Sequence, residues 1–181
     1  MTFTRTATII SGFSQSAKHQ SGSLELVSRC LDLPGLYVSY YPWDVDPEAV
    51  AWYLHRMFPG RDHFFDGYSF GGDTAAKVCT ALHDLGETVA GVVLVDPVAK
   101  TFRHGWLSPL SALAWWARIK LPPISVSRVT VFNQRLNKPD GDTVLVGRQV
   151  VKPVTLDVQH DDIDESPEAA QAFLSMLGQY V

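Results

Sequence analysis

The sequence predicts an α/β fold in which a mostly parallel sheet is covered by helices on both faces. Apolar strand-like runs alternate with helix-like segments along the first half of the chain, which is typical of βαβ units. The clearest strand, Val89–Val95, is apolar without alternation, as expected for a parallel strand that is buried on both faces. Helix signals lie between the strands: Asp46-Pro47-Glu48 begins one helix, and Gly86 ends another.

The predicted elements follow this alternation to the end of the chain. Strands are predicted at Ala7–Ile10, Leu36–Tyr41, Asp62–Tyr68, Val89–Val95, Arg128–Phe132, Thr143–Val146 and Val150–Val158. Helices are predicted at Leu24–Leu31 after a candidate cap at Ser23, from Pro47 to about Met57, at Gly71–Leu85, and from Pro167 to about Leu177 after a cap at Ser166. No repeat, low-complexity tract or linker divides the 181 residues. We therefore expect one domain over residues 1–181.

Composition narrows the functional classes. The net charge is −4 and no basic run is present, which argues against nucleic-acid and anionic-membrane partners. Cys30 and Cys79 belong to no zinc pattern or C-x-x-C pair, so we expect two buried thiols and no metal. The first apolar stretch is too short for a signal sequence or a membrane span, which predicts a cytoplasmic location.

The five residues Gly67–Gly71 carry the strongest chemical signal. The segment Gly67-Tyr68-Ser69-Phe70-Gly71 fits G-x-S-x-G, follows a predicted strand and precedes a predicted helix. This is the context that places a nucleophilic serine on a sharp strand-to-helix turn. Flanking glycines avoid clashes in such a turn, and the helix N-terminus favours developing negative charge. The pattern predicts Ser69 as a nucleophile; a glycine-rich turn that only packs is the alternative.

A serine hydroxyl needs a base, and His160 is the leading candidate. It follows an apolar strand and precedes the capped final helix, so it is expected on a loop. An exposed loop histidine without a role is the alternative. The other histidines fit less well: His19 lies in the first loop, His55 and His83 in helices, His63 in the strand before Ser69, and His104 in a tryptophan-rich segment.

The acid that orients the base is predicted to be Asp96. Asp96 directly follows the strand Val89–Val95, and catalytic residues of open α/β sheets collect at the carboxyl ends of strands. Asp140 and Asp142 follow the next strand and are rivals, although their Asn-Lys-Pro-Asp-Gly-Asp context is typical of a turn. An oxyanion formed during the reaction needs backbone N–H donors. Phe70 is one candidate, and Phe13 or Ser14 in the loop after the first strand is the other.

Taken together, GYSFGG (Gly67–Gly72), VVLVDPV (Val92–Val98) and the late His160 resemble the α/β-hydrolase superfamily. The resemblance implies an α/β-hydrolase fold with a minimal, mostly parallel sheet, helices on both faces and a short cap segment. It also implies that the base lies on the loop after the last strand. GYSFGG together with an acid directly after the strand that follows the nucleophile, as at Asp96, is similar to the thioesterase branch. In the commoner pattern of the superfamily the acid lies one strand later, which would make it Asp140 or Asp142. The sequence resembles small esterases and lipases equally well.

An apolar segment, residues 103–123, occupies the position where such enzymes insert a cap. It contains Trp106, Trp115 and Trp116 among leucines and alanines. One interpretation is a cover that lines an acyl or aromatic pocket. The other is a helix whose apolar face packs on the sheet. Trp43, which follows another strand end, is a further candidate for contact with the substrate.

The sequence therefore predicts a serine hydrolase that cleaves a carboxylic ester or thioester through an acyl-serine intermediate. Its expected partner is a small-molecule acyl ester or thioester, and its chemistry requires no cofactor. A peptidase or amidase would use the same residues. A non-catalytic protein of this fold that binds a ligand or partner is the alternative from another class. The distance from Ser69 to the ring of His160 separates catalysis from binding alone.

Overall fold

The computed structural model describes residues 3–13, 22–99, 118–122, 126–137 and 141–178. The helices are α1 (Gly22–Leu31), α2 (Pro47–Met57), α3 (Phe70–Asp84) and α4 (Pro167–Gly178), with a short 3-10 helix at Ile163–Glu165 before α4. The strands are β1 (Arg5–Ile10), β2 (Leu36–Tyr41), β3 (Asp62–Tyr68), β4 (Val89–Val95), β5 (Arg118–Leu121), β6 (Val129–Gln134), β7 (Thr143–Val146), β8 (Gln149–Val150) and β9 (Val154–Leu156).

Six strands form one parallel sheet, in the order β2-β1-β3-β4-β6-β9. Each neighbouring pair is parallel, from β1 with β2 to β6 with β9. The carboxyl ends of parallel strands lie on one edge of a sheet, so the residues that follow β1, β3, β4 and β6 come together there. Parallel neighbours need crossover connections, and helices α1, α2 and α3 form those from β1 to β2, from β2 to β3 and from β3 to β4.

Helices cover both faces of this sheet, as the sequence predicts. Phe64 and Phe65 on β3 are fully buried and pack into different apolar clusters, because successive side chains of a strand point to opposite faces. Helices α2 and α3 contribute to the cluster around Phe65, and α1 and α4 contribute to the cluster around Phe64. The sheet is therefore the buried middle layer of a three-layer core.

The predicted start of α2 is confirmed in detail. Asp46 has extended backbone angles, and its Oδ1 accepts hydrogen bonds from the amides of Glu48 and Ala49 at 3.0 and 3.5 Å. The start of α1 differs from the expected Ser23 cap. This helix begins at Gly22, and the Gly22 amide donates to Oδ2 of Asp164 at 3.1 Å. The cap of α1 comes from a residue 142 positions away, which local patterns do not reveal.

Two further differences concern the second half of the chain. Residues 118–121, within the segment predicted as a cap, form β5, which pairs in parallel with β7 in a three-stranded sheet of order β5-β7-β8. Ile119 is buried against the cluster on the α2 and α3 side. The single strand expected over Val150–Val158 is two strands, β8 and β9, which belong to different sheets. Pro153 lies at the break and lacks the N–H that a continuous ladder needs.

Both cysteines are buried free thiols, as expected. Burial raises the pKa of Cys30 to about 12 and also raises the pKa of Cys79, so neither thiol is an activated nucleophile. None of the described helices has the length and apolar character that crossing a bilayer would need.

Candidate active site

Ser69 lies at a sharp turn between β3 and α3. Its backbone angles are φ 52° and ψ −123°, a region that side-chain-bearing residues rarely adopt. The turn packs tightly on the end of β1, because a Cβ at Gly71 would lie 2.5 Å from the carbonyl oxygen of Ser11. Only glycine permits that approach. The local sequence thus explains how the hydroxyl of Ser69 is held at the carboxyl edge of the sheet, at the N-terminus of α3.

The structure brings Ser69, His160 and Asp96 into one hydrogen-bonded row. Ser69 Oγ lies 3.0 Å from Nε2 of His160, and Nδ1 of His160 lies 2.5 Å from Oδ2 of Asp96. The three residues are 4%, 6% and 0% exposed, respectively. They come from the ends of β3 and β4 and from the loop after β9. This is the arrangement in which a base can take a proton from the serine while an acid orients the base.

The carboxylate of Asp96 is surrounded by donors. Oδ2 faces Nδ1 of His160 and accepts from Nε2 of Gln134 at 3.1 Å. Oδ1 accepts from the backbone amides of Gln134 at 3.2 Å and Gly141 at 2.7 Å. These contacts satisfy a buried carboxylate that acts only as an acceptor. An accepting carboxylate places the ring proton of His160 on Nδ1, which leaves the lone pair of Nε2 facing Ser69.

The backbone and ring of His160 are also held. Its amide donates to Oδ1 of Asn137 at 2.7 Å, and its carbonyl oxygen accepts from the hydroxyl of Tyr68 at 2.6 Å. The Tyr68 ring lies against the imidazole with the centroids 5.3 Å apart. Burial, followed by the nearby carboxylate of Asp164, raises the pKa of Tyr68. The phenol therefore remains a hydrogen-bond donor at neutral pH, and the imidazole has fixed neighbours on several sides.

The loop after β1 lies directly against Ser69. A Cβ at Gly12 would lie 2.6 Å from the ring of Tyr68 and 3.2 Å from Cβ of Ser69, so glycine is required for this contact. Phe13 follows Gly12 in this loop, and Phe70 is the first residue of α3. The N–H groups of the first helical turn lack partners within the helix. Of the predicted oxyanion donors, Phe70 therefore directly follows the serine, Phe13 follows the glycine that packs against it, and Ser14 lies outside the described residues.

Three aromatic rings form a surface next to this loop, which we call the aromatic wall: Phe13, Trp43 and Phe70. Their centroids are 5.4 Å apart for Phe13 and Trp43, 6.1 Å for Phe13 and Phe70, and 5.5 Å for Trp43 and Phe70. The carbonyl oxygen of Trp43 accepts from Oγ1 of Thr74 on α3 at 2.5 Å. Phe13 is 44% exposed. The wall is therefore anchored to α3 through Trp43, and it has an apolar face that solvent or a ligand can reach.

The structure does not place every predicted residue in this site. Trp106, Trp115, Trp116 and the rival acid Asp140 fall outside the described residues. The other rival, Asp142, accepts from the amide of Ala99 at 2.7 Å through its Oδ2. His63 and His55 have partners of their own: Nδ1 of His63 lies 2.8 Å from Oγ1 of Thr6, and Nδ1 of His55 lies 2.8 Å from Oε1 of Glu87. Within the described ranges, no group of three or more His, Cys, Asp or Glu is arranged to hold a metal ion.

Sequence reasoning missed three residues of this site: Tyr68, Gln134 and Asn137. Tyr68 occupies a variable position of G-x-S-x-G, where the pattern specifies no side chain. Gln134 lies two residues beyond the predicted end of its strand, which continues to Gln134 in the structure. A buried amide at the carboxyl end of a central strand is the signal that would have identified it.

Comparison with known proteins gives a consistent result for the fold. No protein-family model and no curated protein matches the sequence. Solved structures do match: an esterase from Pyrobaculum calidifontis has 15% identity and a TM-score of 0.60 over 99% of this chain and 78% of its own. The thioesterase domain NocB from the nocardicin cluster has 15% identity and a TM-score of 0.58 over 98% of this chain and 95% of its own. The thioesterase RedJ from Streptomyces coelicolor has 11% identity and a TM-score of 0.57 over 99% and 86%.

The fold is therefore that of the α/β hydrolases, as the sequence predicts. At these identities the likeness defines the fold and leaves the activity to be argued from the site.

Proposed function

We propose that this protein is a serine hydrolase that cleaves a carboxylic ester or thioester through an acyl-serine intermediate. The observation that carries the proposal is the hydrogen-bonded row from Ser69 through His160 to Asp96, with distances of 3.0 and 2.5 Å. A hydroxyl becomes a useful nucleophile when a base accepts its proton as it attacks. The strained turn and the helix N-terminus at Ser69 add to this support.

The proposed reaction has two halves. Ser69 Oγ forms a bond to the carbonyl carbon, its proton moves to Nε2 of His160, and the carbonyl electron pair becomes an oxyanion. Collapse of this intermediate expels the alcohol or thiol, which takes the proton from Nε2. Water then attacks the acyl-serine with the same help from His160 and releases the acid. Asp96 orients the imidazole and stabilises its charged form in both halves.

Backbone N–H groups are proposed to bind the oxyanion. Phe70 supplies one donor at the start of α3. Phe13 or Ser14 supplies the other from the loop after β1, and the close contact of Gly12 with Ser69 supports this role for the loop. Removing a single donor of this kind typically lowers kcat by about 10²- to 10³-fold.

The apolar part of the substrate is proposed to contact Trp43, Trp106, Trp115 and Trp116. Trp43 belongs to the aromatic wall, and the other two members of the wall, Phe13 and Phe70, are residues proposed as oxyanion donors. The three other tryptophans belong to the apolar segment 103–123 and precede β5 in the sequence. The matched structures are of thioesterases and an esterase, which favours an acyl ester or thioester over an amide as the proposed substrate.

A binding protein without catalysis is the competing proposal, and the site geometry counts against it. Such a protein has no need for a serine hydroxyl at 3.0 Å from a histidine nitrogen, nor for a carboxylate on the other ring nitrogen. Neither the Ser69 hydroxyl nor the Asp96 carboxylate is exposed enough to form part of a surface that binds a partner.

The test is covalent labelling with a fluorophosphonate, which reacts with activated serines. We expect labelling of the wild type, none in Ser69→Ala, and a strong decrease in His160→Ala. Ser28→Ala on α1 is the matched control, because Ser28 is an exposed serine outside the site, and it should label as the wild type does. A folded wild type that takes no label, or a Ser69→Ala variant that labels fully, would rule out the proposed nucleophile.

A further inference from the structure

Gln134 is a buried amide that the proposed reaction does not use. It ends β6 and is 2% exposed. Its Nε2 donates to Oδ2 of Asp96 at 3.1 Å and to the carbonyl oxygen of Asn137 at 2.9 Å. Its Oε1 accepts from the amides of Leu136 at 2.7 Å and Asn137 at 3.1 Å. Both donor hydrogens and the acceptor of the side chain are therefore engaged.

One set of these contacts fixes the carboxylate of Asp96. Oδ2 receives Nε2 of Gln134 and faces Nδ1 of His160, while Oδ1 accepts from the backbone amide of Gln134. Gln134 thus binds both oxygens, and rotation of the carboxylate would break at least one contact. A carboxylate held in this plane presents one defined oxygen to the imidazole.

The other set fixes the turn that holds the base. The Gln134 side chain binds the amide and the carbonyl of Asn137. The side chain of Asn137 in turn accepts from the backbone amide of His160 at 2.7 Å. One buried amide therefore joins the acid that follows β4 to the turn that positions the backbone of the base. These contacts span residues 96, 134, 137 and 160.

We propose that Gln134 is a positioning residue of the site, which sets the distance and angle between Asp96 and His160 and acts with Asn137. The proposal rests on the proposed function for its effect on turnover. Its effect on the His160–Asp96 hydrogen bond is independent of any reaction. Gln134 does not touch the reacting atoms, so its loss changes how well the base is aligned rather than how substrate binds.

Four variants separate these contacts. Gln134→Leu removes all side-chain hydrogen bonds, whereas Gln134→Glu keeps an acceptor for the turn and replaces the amide that donates to Asp96 and to the Asn137 carbonyl with a carboxyl group. Asn137→Ala removes the acceptor for the His160 amide, and Asn137→Asp restores one. Gln171→Leu on α4 is the matched control, because Gln171 is an exposed glutamine bonded to Ser175.

With p-nitrophenyl butyrate as the probe, we expect kcat to fall about 10- to 100-fold in Gln134→Leu, Gln134→Glu and Asn137→Ala, with KM within about twofold. Asn137→Asp should recover most of the kcat that Asn137→Ala loses, and Gln171→Leu should stay near the wild type. The second readout is the downfield ¹H resonance of the Nδ1 proton of His160, which should move or broaden in the two Gln134 variants and stay in Gln171→Leu. A merely structural role would lower the free energy of unfolding without moving this resonance.

The proposal is overturned if Gln134→Leu keeps the wild-type kcat and the wild-type Nδ1 resonance while its unfolding transition shows that it is folded. A wild type that neither hydrolyses the ester nor takes the fluorophosphonate contradicts the proposed function instead. In that case the Nδ1 resonance alone decides whether Gln134 aligns Asp96 with His160.

Discussion

Ser69 and Asp96 both have a positive backbone φ: in the described part of the chain they are the non-glycine residues with this feature, at 52° and 44°. Both follow a central parallel strand directly, and the two turns are joined, because the Ser69 amide donates to the carbonyl of Val95 at 3.0 Å. The carbonyl of Ser69 accepts from the amide of Val98 at 2.9 Å. Strained residues of this kind persist where the surrounding structure holds them, and they cluster at functional sites.

This strain predicts that the nucleophile position is not optimised for stability. Ser69→Gly and Ser69→Ala both lose the hydroxyl, but only glycine adopts φ 52° without strain. After allowance for the greater freedom of glycine in the unfolded chain, we expect Ser69→Gly to be more stable than Ser69→Ala by roughly 1 kcal/mol. Urea unfolding of both variants measures the difference. Equal stabilities, or a more stable alanine variant, would contradict strain at Ser69.

The choice of acid is tested by two matched substitutions. Asp96→Asn keeps the shape but presents an amide to Nδ1 of His160, so the imidazole loses the acceptor that orients it. If the proposed reaction holds, kcat should fall by about 10⁴-fold, as expected when a triad loses its acid. Asp142→Asn is the control, because Asp142 binds the amide of Ala99 instead. Steady-state kinetics of both variants on one ester measure the two losses of kcat. A larger loss in Asp142→Asn than in Asp96→Asn would make Asp142 the acid.

The sequence predicts much of this site because its members lie at strand ends. Ser69 and Asp96 directly follow two strands whose limits are readable from their apolar residues, and His160 precedes a helix with a clear cap at Ser166. A parallel sheet gathers such ends on one edge without detailed knowledge of packing. The three side chains are together in the structure, while their catalytic roles remain predictions.

The parts that sequence analysis missed depend on contacts between distant segments. Gln134 reaches Asp96 only because β6 is two residues longer than its apolar pattern suggests, and Asp164 caps α1 across 142 positions. The strand Arg118–Leu121 alternates exposed and buried residues, but a run of four residues beside a tryptophan-rich stretch is too short for its pattern to separate it from that stretch. Local patterns describe single elements well and side-chain contacts between elements poorly.

The aromatic wall makes a prediction about substrate size. If the wall contacts the apolar part of the ester, Trp43→Ala should lower kcat/KM for p-nitrophenyl hexanoate by about tenfold and for the acetate by less than twofold, because a short acyl group has little surface to bury. Trp52→Ala on α2 is the control, since Trp52 is an exposed tryptophan outside the wall. An equal loss on both esters would mean that Trp43 supports the fold of the site rather than chain-length preference.

A buried acid on β3 makes stability depend on pH. The pKa of Asp66 is raised from 3.8 to about 8, mainly by burial and to a smaller extent by the nearby carboxylate of Asp164. Between these values the folded protein binds a proton at Asp66 that the unfolded chain has lost. The free energy of unfolding should therefore fall as pH rises from about 4 to about 8, by up to ~1.4 kcal/mol per pH unit for one group. The stabilisation that the protonated Asp66 contributes is fully present below about pH 4 and is lost above about pH 8.

Asp66→Asn tests this directly, because an asparagine has the same shape and stays neutral. The variant should remove the fall and be more stable than the wild type at pH 8, as measured by urea unfolding at a series of pH values. Asp157→Asn is the control, since the side chain of Asp157 is 82% exposed, and it should leave the profile unchanged. A wild-type slope that persists in Asp66→Asn would assign the titration to another group. A wild type with no slope between pH 4 and pH 8 would mean that Asp66 ionises in the folded protein as it does in the unfolded chain.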